Sequence, residues 1–372
     1  MNILFTEALL HWGGEQNKVL NEMRVLRDLG HEVSLFCEPN SDIDRRARDE
    51  GFAVVNAVIE KHTYHKTIPL LIRTVRERGI SLVVANGSID GWICAIARLF
   101  CPHAYFARER HNEYAIRGLA SKFMFRHMMD KIIYVSPSVK KYLQSIGVSE
   151  EKLFFLPPVT DVKANVAAVS TFRREFGLQN AFVIGTLTSI LEKKGVYDFA
   201  RAALPLFEHI SNLKLVFAGD GSEESVARLK SELGEHVKDA IITGFRDDVI
   251  NVMKGFDIYV FASHSEGLPT VLLEAMSCSL PIVVYDKEPM NYLVKHGERG
   301  LCAKFKDQKD LSAKILEMAN NSNLKEKCAK NASRFVSDNF SQNTLKTRLA
   351  QLVAEVEKSP RYKSNLNKDA QK

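Results

Sequence analysis

The chain has 372 residues, 45% apolar and 26% charged, which fits two domains of ordinary size and excludes a disordered polymer. No apolar run reaches the ~18 residues needed to span a bilayer. The opening MNILFTEALLHWGGEQ lacks the basic stretch and long apolar segment of a secretory leader, so a soluble protein of the cell interior is expected.

In chain order, short β-rich runs alternate with helical runs, and they do so twice. Residues 2–6 read as a strand and residues 11–14 as a glycine turn. Residues 15–29 carry Val19, Met23, Leu26 and Leu29 at helical spacing, with Gly30 placed as a helix end would place it. Strands are expected at 31–37, 52–58 and 81–86. The last is a near-continuous apolar run, as in a parallel strand buried on both faces. Residues 105–107, 131–135 and 153–156 add three more, and Ser136-Pro137 has the residue types of an N-cap and a first helical position. Pro157-Pro158 and the polar stretch to about Ser170 form the linker candidate.

The second half restarts the relay. It has strands at 182–187, 213–218, 240–244, 257–262 and 282–285, and helices from Gly195 and over 223–233. It is helical from Asp307, with a polar, disordered tail expected after Lys358. Such alternation implies parallel sheets with right-handed crossovers. The expected architecture is α/β, with two doubly wound Rossmann-like domains at 1–165 and 166–340. Residues 341–372 form a C-terminal helix, returning to the first domain, and the tail. Ligands in open parallel sheets bind beyond the carboxyl ends of strands, so a cleft between the domains is the expected site.

The six cysteines (Cys37, Cys94, Cys101, Cys278, Cys302 and Cys328) form no Cys-x-x-Cys pair and lie near no histidine cluster at zinc spacing. They read as reduced core residues. Charge is uneven. From Arg98 to Lys141, nine basic residues face only Glu109, Glu113 and Asp130, a net +6 equal to that of the whole chain. An anionic partner, phosphate or phospholipid, fits this window. Nucleic acid fits poorly, because no helix-turn-helix, RNA-binding sheet signature or zinc module is present.

The most informative stretch is residues 263–276, SHSEGLPTVLLEAM. A strand ends near Ala262 and a helix is expected to start around Pro269, aiming unpaired amides and partial positive charge at a ligand, as a diphosphate cradle does. Glu266 falls in the loop and Glu274 in the second helical turn. A carboxylate there is unfavourable unless it accepts hydrogen bonds, and sugar hydroxyls supply them. Each alone could be a merely solvated carboxylate; together, in this context, they point to function.

EGLPTVLLEA resembles the E-x7-E motif of the retaining GT-B glycosyltransferases of family 4. The segments DKIIYVS, LEKKGVYDFARA, LVFAGDG, ITGF and FDIYVFAS extend the resemblance, in order, over nearly the whole chain. The resemblance implies that Glu274 binds the nucleotide ribose and Glu266, with Gly267 and Leu268, the donor sugar. Lys194 would neutralise the diphosphate leaving group. Gly13 and Gly14 would admit donor phosphate or acceptor, although a plain tight turn is the simpler reading. Phe245 and Arg246 would lie near the nucleobase, and His111 beside the transferred sugar. Lys194, Glu266 and His111 form the implied catalytic set, with no metal, no cofactor and a nucleotide sugar, a UDP-sugar first, as co-substrate. Asp247-Asp248 reads as a helix-opening acid pair rather than a metal site. Departures stand at Thr188 and Ser189, where the family often has an arginine, and at Pro158-Val159, Ser279 and Tyr292. Arg246, Arg108 or Arg110 are candidates to replace that arginine.

For the acceptor, residues 116–129 (IRGLASKFMFRHMM) put Ile116, Leu119, Phe123 and Met128 roughly on one helical face, with Arg117, Lys122, Arg126 and His127 elsewhere. A basic amphipathic helix reads as a membrane-surface contact; the alternative is a helix packed on the sheet with a solvated basic side. With Arg108 and Arg110, this becomes the acceptor or membrane side. The expected activity is extension of a cell-surface glycan or lipid-linked acceptor, such as lipopolysaccharide core or an oligosaccharide lipid, at the cytoplasmic face of the inner membrane. The alternatives are a non-catalytic nucleotide-sugar-binding protein, a nucleotide-sugar epimerase, or a phosphorylase lacking an identifiable cofactor lysine. A dinucleotide oxidoreductase is disfavoured because the opening turn lacks G-x-G-x-x-G.

Overall fold

The computed structural model describes residues 1–112 and 114–363. Its contacts divide the chain into two compact units, Met1–Pro158 together with the segment from Asn343, and Val159–Gln342. No helix among the described residues is long and apolar enough to cross a membrane.

Unit 1 holds seven strands: β1 (Asn2–Glu7), β2 (Glu32–Cys37), β3 (Ala53–Asn56), β4 (Leu82–Ala85), β5 (Tyr105–Arg110), β6 (Lys131–Tyr134) and β7 (Leu153–Phe155). Their order is β3-β2-β1-β4-β5-β6-β7 and the pairs are parallel, with Ile3 beside both Val33 and Leu82. Strand order therefore reverses between β1 and β4, the switch point at which a doubly wound sheet opens a crevice at its carboxyl edge. The centre is apolar on both faces: Ile3, Leu4, Phe5, Leu82, Val83, Val84 and Phe106 are buried, as crossover helices on both sides require.

Unit 2 holds β8 (Phe182–Leu187), β9 (Leu213–Ala218), β10 (Ala240–Gly244), β11 (Ile258–Phe261), β12 (Ile282–Tyr285) and β13 (Leu301–Ala303). They are ordered β10-β9-β8-β11-β12-β13, so the reversal falls between β8 and β11. Ile184, Leu215, Phe217, Val260 and Val283 pack with Phe199, Leu229, Leu311 and Ile315 in its core.

Strands 182–187, 213–218, 240–244 and 282–285 form as expected, and Ser136 caps the helix Pro137–Ser145 with proline in its first turn. Several boundaries differ. The strand expected at 105–107 runs on to Arg110, because Arg108 and Glu109 are buried rather than solvated, Glu109 against Lys18 and Arg108 over the Phe125 ring. β13 was not foreseen; three residues are too short for a periodic signal. The expected linker contains the helix Val162–Ala167, capped by Asp161, and Thr160 donates to the Phe340 carbonyl at 2.9 Å. The division after Pro158 thus precedes the boundary read at 165. In the expected tail, residues 360–363 form a further helical turn, and residues 364–372 lie outside the described residues.

Candidate functional site

In unit 2 the site is built at the carboxyl ends of β8 and β11. The chain leaves β8, turns through Glu192–Lys194 and passes Gly195 into the helix Val196–Ala203. Gly195 sits in the left-handed region at φ 67°, and a Cβ there would lie 1.8 Å from the Ala262 carbonyl oxygen. Only glycine allows this approach, and the approach sets the Lys193–Lys194 turn against the end of β11. The Ser263 hydroxyl and the His264 amide both donate to the Lys193 carbonyl, at 3.4 and 2.9 Å. As a result Lys194 Nζ lies 2.7 Å from Glu266 Oε1, which also accepts from Ser263 Oγ at 2.6 Å.

The chain then passes Gly267 and the buried Leu268 to the helix Thr270–Ser277. Pro269 is its N-cap rather than its first residue, a shift of one from the sequence reading; the Leu272 and Leu273 amides donate to the Pro269 carbonyl, which leaves those of Thr270 and Val271 for a ligand. Glu274 lies one turn further on. Burial pushes its carboxyl up to about 7, and it makes no hydrogen bond or ion pair among the described residues. Burial, and then the charges of Glu274 and Glu266, raise the Tyr259 phenol, whose hydroxyl donates to the Leu187 carbonyl at 3.3 Å. Lys194 and Glu266 are therefore paired, and the charges of Glu266 and Glu274 both act on the buried Tyr259 phenol. Phe245 is 73% exposed.

Unit 1 has a polar cluster at the carboxyl ends of β1, β4 and β5. The helix Gly14–Asp28 starts at the Gly13 cap. Gly13 is extended, a conformation open to any residue, so the local backbone does not require glycine there. From this helix Lys18 inserts its ammonium between two buried carboxylates, pairing with Glu22 and lying 2.5 Å from Glu109 Oε2. Burial raises both acids, but the Lys18 charge above all holds Glu109 below the usual range, while the Glu109 charge keeps Glu22 above it. His111, just past β5, places Nε2 3.4 Å from Glu109 and 3.8 Å from Glu15. Burial lowers its imidazole to about 4, so it is neutral at physiological pH. Burial, then Asp90 and Glu109, raise Glu15 to about 8.

Two family models cover nearly all of this geometry: "Glycosyltransferase Family 4" matches residues 12–164 and "Glycosyl transferases group 1" residues 169–335. The chain belongs to the family 4-like GT-B glycosyltransferases. It is 28% identical over 221 residues to N,N'-diacetylbacillosaminyl-diphospho-undecaprenol alpha-1,3-N-acetylgalactosaminyltransferase of Campylobacter jejuni, covering 57% of this chain and 56% of that protein. It thus spans about half the length of the curated relatives it matches. Its fold is that of a glycosyltransferase from Rickettsia africae, with TM-score 0.87, 18% identity and coverage of 96% and 99% of the two chains. It is also that of Anabaena Alr3699/HepE in complex with UDP, with TM-score 0.85, 18% identity and coverage of 95% and 100%.

Within this GT-B chain, several sequence expectations need correction. Arg246 is not a free cation: Asp248 and Glu175 each bind its guanidinium at 2.7 Å, and those bonds raise its pKa further. It cannot replace the missing family arginine without breaking both pairs. The helix expected over 116–129 forms only over 119–128, and not as one regular helix. Gly118, at φ 87°, precedes a short helix, Leu119–Phe123, which passes into a π-helical turn, Met124–Met128. That turn rotates the register, so Met124 and Phe125 are buried while Leu119 and Phe123 are 84% and 55% exposed.

The basic window is less uniform than its sum implies. Asp130 pairs with Arg98 at 2.6 Å, Glu355 with Lys131 at 2.5 Å and Glu150 with Lys140 at 2.5 Å. The Arg126 guanidinium donates to the Ile146 carbonyl. Arg108, Arg110, Arg117 and Lys122 form no ion pair among the described residues.

Sequence reasoning missed Asp198 and His264. Asp198 accepts from His264 Nε2 at 2.8 Å, Tyr285 Oη at 3.2 Å, Arg201 at 2.9 Å and Gln308 at 3.0 Å. Burial alone would raise this carboxyl, but bonds from His264, Arg201 and Gln308 hold it below its usual range. Lys287 Nζ donates to the His264 carbonyl. The loop carrying Glu266 is thereby tied to the helix that follows Lys194. Only the fixed offsets of Asp198 and His264 from the two motifs could have signalled this. The cysteines are free, with five buried, as core thiols should be.

Proposed function

We propose that this GT-B chain transfers a sugar, with retention of anomeric configuration and without a metal, from a UDP-sugar to a lipid-linked glycan acceptor. The observation that carries the reading is the Lys194–Glu266 pair formed by the loops after β8 and β11, with the Glu274 carboxylate of the helix that follows unpartnered among the described residues. A partly desolvated carboxylate with no protein partner among the described residues is an acceptor open to a ligand's donors, and a ribose diol supplies two. Glu266 would hold donor-sugar hydroxyls, aided by Gly267 and Leu268, and exposed Phe245 would face the base. Lys194 and the first amides of the helix Thr270–Ser277 would meet the charge that grows on the departing diphosphate, the term that dominates such catalysis. Neutral His111 would hydrogen-bond the transferred sugar, and Gly13 and Gly14 would leave room for substrate.

In the transfer, the bond from the anomeric carbon to the diphosphate oxygen breaks, and the acceptor hydroxyl oxygen bonds the same face of that carbon. The hydroxyl proton passes to the leaving phosphate oxygen, so no protein nucleophile is needed. Alr3699/HepE in complex with UDP supports the nucleotide, and the diphospho-undecaprenol acceptor named for the Campylobacter jejuni relative supports the lipid-linked class. Exposed Leu119 and Phe123 beside Arg117 and Lys122 would touch an anionic membrane surface at the cytoplasmic face.

A thermal-shift panel of UDP-, GDP- and ADP-sugars tests this directly. UDP-sugars should raise the melting temperature, and Glu274→Ala should weaken that affinity at least ~10-fold by stranding the ribose diol. Silence from every nucleotide sugar, or unchanged affinity in the variant, would reject the donor assignment.

A further inference from the structure

Three cations of the basic window that form no ion pair among the described residues, Arg108, Arg110 and Arg117, converge on one cavity in unit 1. It measures about 350 Å³, and Lys61, Arg108, Arg110 and Arg117 line it together with Trp92 and Phe125. None of its described lining residues is acidic. Arg108 is 4% exposed, with its guanidinium over the Phe125 ring, 4.3 Å from the centroid. One terminal nitrogen lies 3.1 Å from the Met124 sulfur, and Nε has no partner. Gly91 makes the room: a Cβ there would fall 2.7 Å from the guanidinium carbon. Arg110 Nε is likewise buried without a partner. A buried guanidinium facing a cavity with unmet donors is costly unless an anion arrives, and a planar fork of donors suits phosphate oxygens.

We infer that this cavity binds the phosphate or diphosphate group of a prenyl-linked acceptor, with the apolar chain leaving along Tyr114, Leu119 and Phe123. All three are exposed, and they lie on the same segment as Arg117. The inference rests on the proposed lipid-linked acceptor and gives it a location: Arg108 and Arg110 hold the anion, and Arg117 guards the mouth.

Trp92 reports on the cavity, and the chain has two tryptophans, so Trp12→Phe leaves Trp92 as the single emitter. Titrating this full-length variant with farnesyl diphosphate should quench fluorescence saturably, and farnesol should not. Adding Arg108→Met or Arg110→Gln should weaken binding at least ~10-fold. Inorganic diphosphate should compete more weakly than the prenyl form, and saturating UDP should leave the titration unchanged. Equal affinity for inorganic and farnesyl diphosphate would reduce the cavity to a free-anion site and overturn the lipid assignment. Competition by UDP, or wild-type affinity in both arginine variants, would overturn the site itself. A retained UDP-induced thermal shift in the arginine variants shows that they fold. Farnesyl diphosphate binding without any UDP response would reject the donor reading alone.

Discussion

Single residues carry the chemistry proposed for unit 2, and two substitutions separate their roles. Lys194 is the cation beside Glu266. Lys194→Ala should lower turnover roughly 10²–10³-fold, as loss of one fixed charge on a leaving group does, and near-normal turnover in a sugar-transfer assay would remove it from the mechanism. Glu274 makes a different prediction, about pH. Its folded-state pKa is about 7, above the ~4.3 of an exposed glutamate. Between those values the folded chain holds a proton that the unfolded chain releases, so this group's contribution to stability falls as pH rises through that window. Glu274→Gln stays neutral throughout. Its melting temperature should rise relative to the parent from pH 4.5 to 7.5, and a constant difference would contradict the burial argument. Nucleotide binding runs the other way, since ribose hydroxyls donate to the ionised carboxylate and their affinity should grow as pH rises through about 7.

At the scale of elements, the site depends on two loops held at fixed separation. The turn before Gly195 and the loop after β11 are joined by main-chain bonds to Lys193 and by the Asp198 clamp on His264. Asp198 touches neither Lys194 nor Glu266, so it acts as a positioning residue. Asp198→Asn turns one of its acceptor oxygens into a donor, facing groups that also donate. It should lower kcat about tenfold while the KM for the donor changes little, and Asp198→Glu should recover part of the loss. Equal changes in kcat and KM would assign Asp198 to binding instead. The same scale explains why the helix expected over 116–129 is shortened to 119–128 and changes register within it. Gly118 and the π-helical turn break the periodicity, and an amphipathic pattern read at a constant 100° per residue cannot register such a change.

At the scale of the molecule, each unit is a doubly wound parallel sheet with one reversal of strand order, at β1/β4 and at β8/β11. The Lys194–Glu266 pair lies at the second reversal and the His111–Glu109–Lys18 cluster at the carboxyl edge of the sheet that holds the first, where the topology leaves crossover helices on opposite faces and a crevice between them. The C-terminal segment belongs to unit 1, where Glu355 meets Lys131 at 2.5 Å and Arg361 meets Asp130 at 3.2 Å. The stretch just past Pro158 belongs to unit 2, because the Thr160 backbone is bonded to Phe340. Composition along the chain marked the polar stretch but not which sheet it would join.

The alternation of strands and helices and the parallel sheets were readable from the chain alone, as was the motif that puts Glu266 in a loop and Glu274 on the helix after it. They depend on hydropathy period and on motifs only a few residues long, and both are local properties. Tertiary structure alone decided which charges are neutralised and which are left for a ligand. Arg98 and Arg246 found carboxylates, Lys18 came to lie between two glutamates, and Arg108 was buried with its Nε unpaired. A charge has no fixed meaning in a sequence, because its energy depends on how much water remains around it and on partners that folding brings from distant parts of the chain.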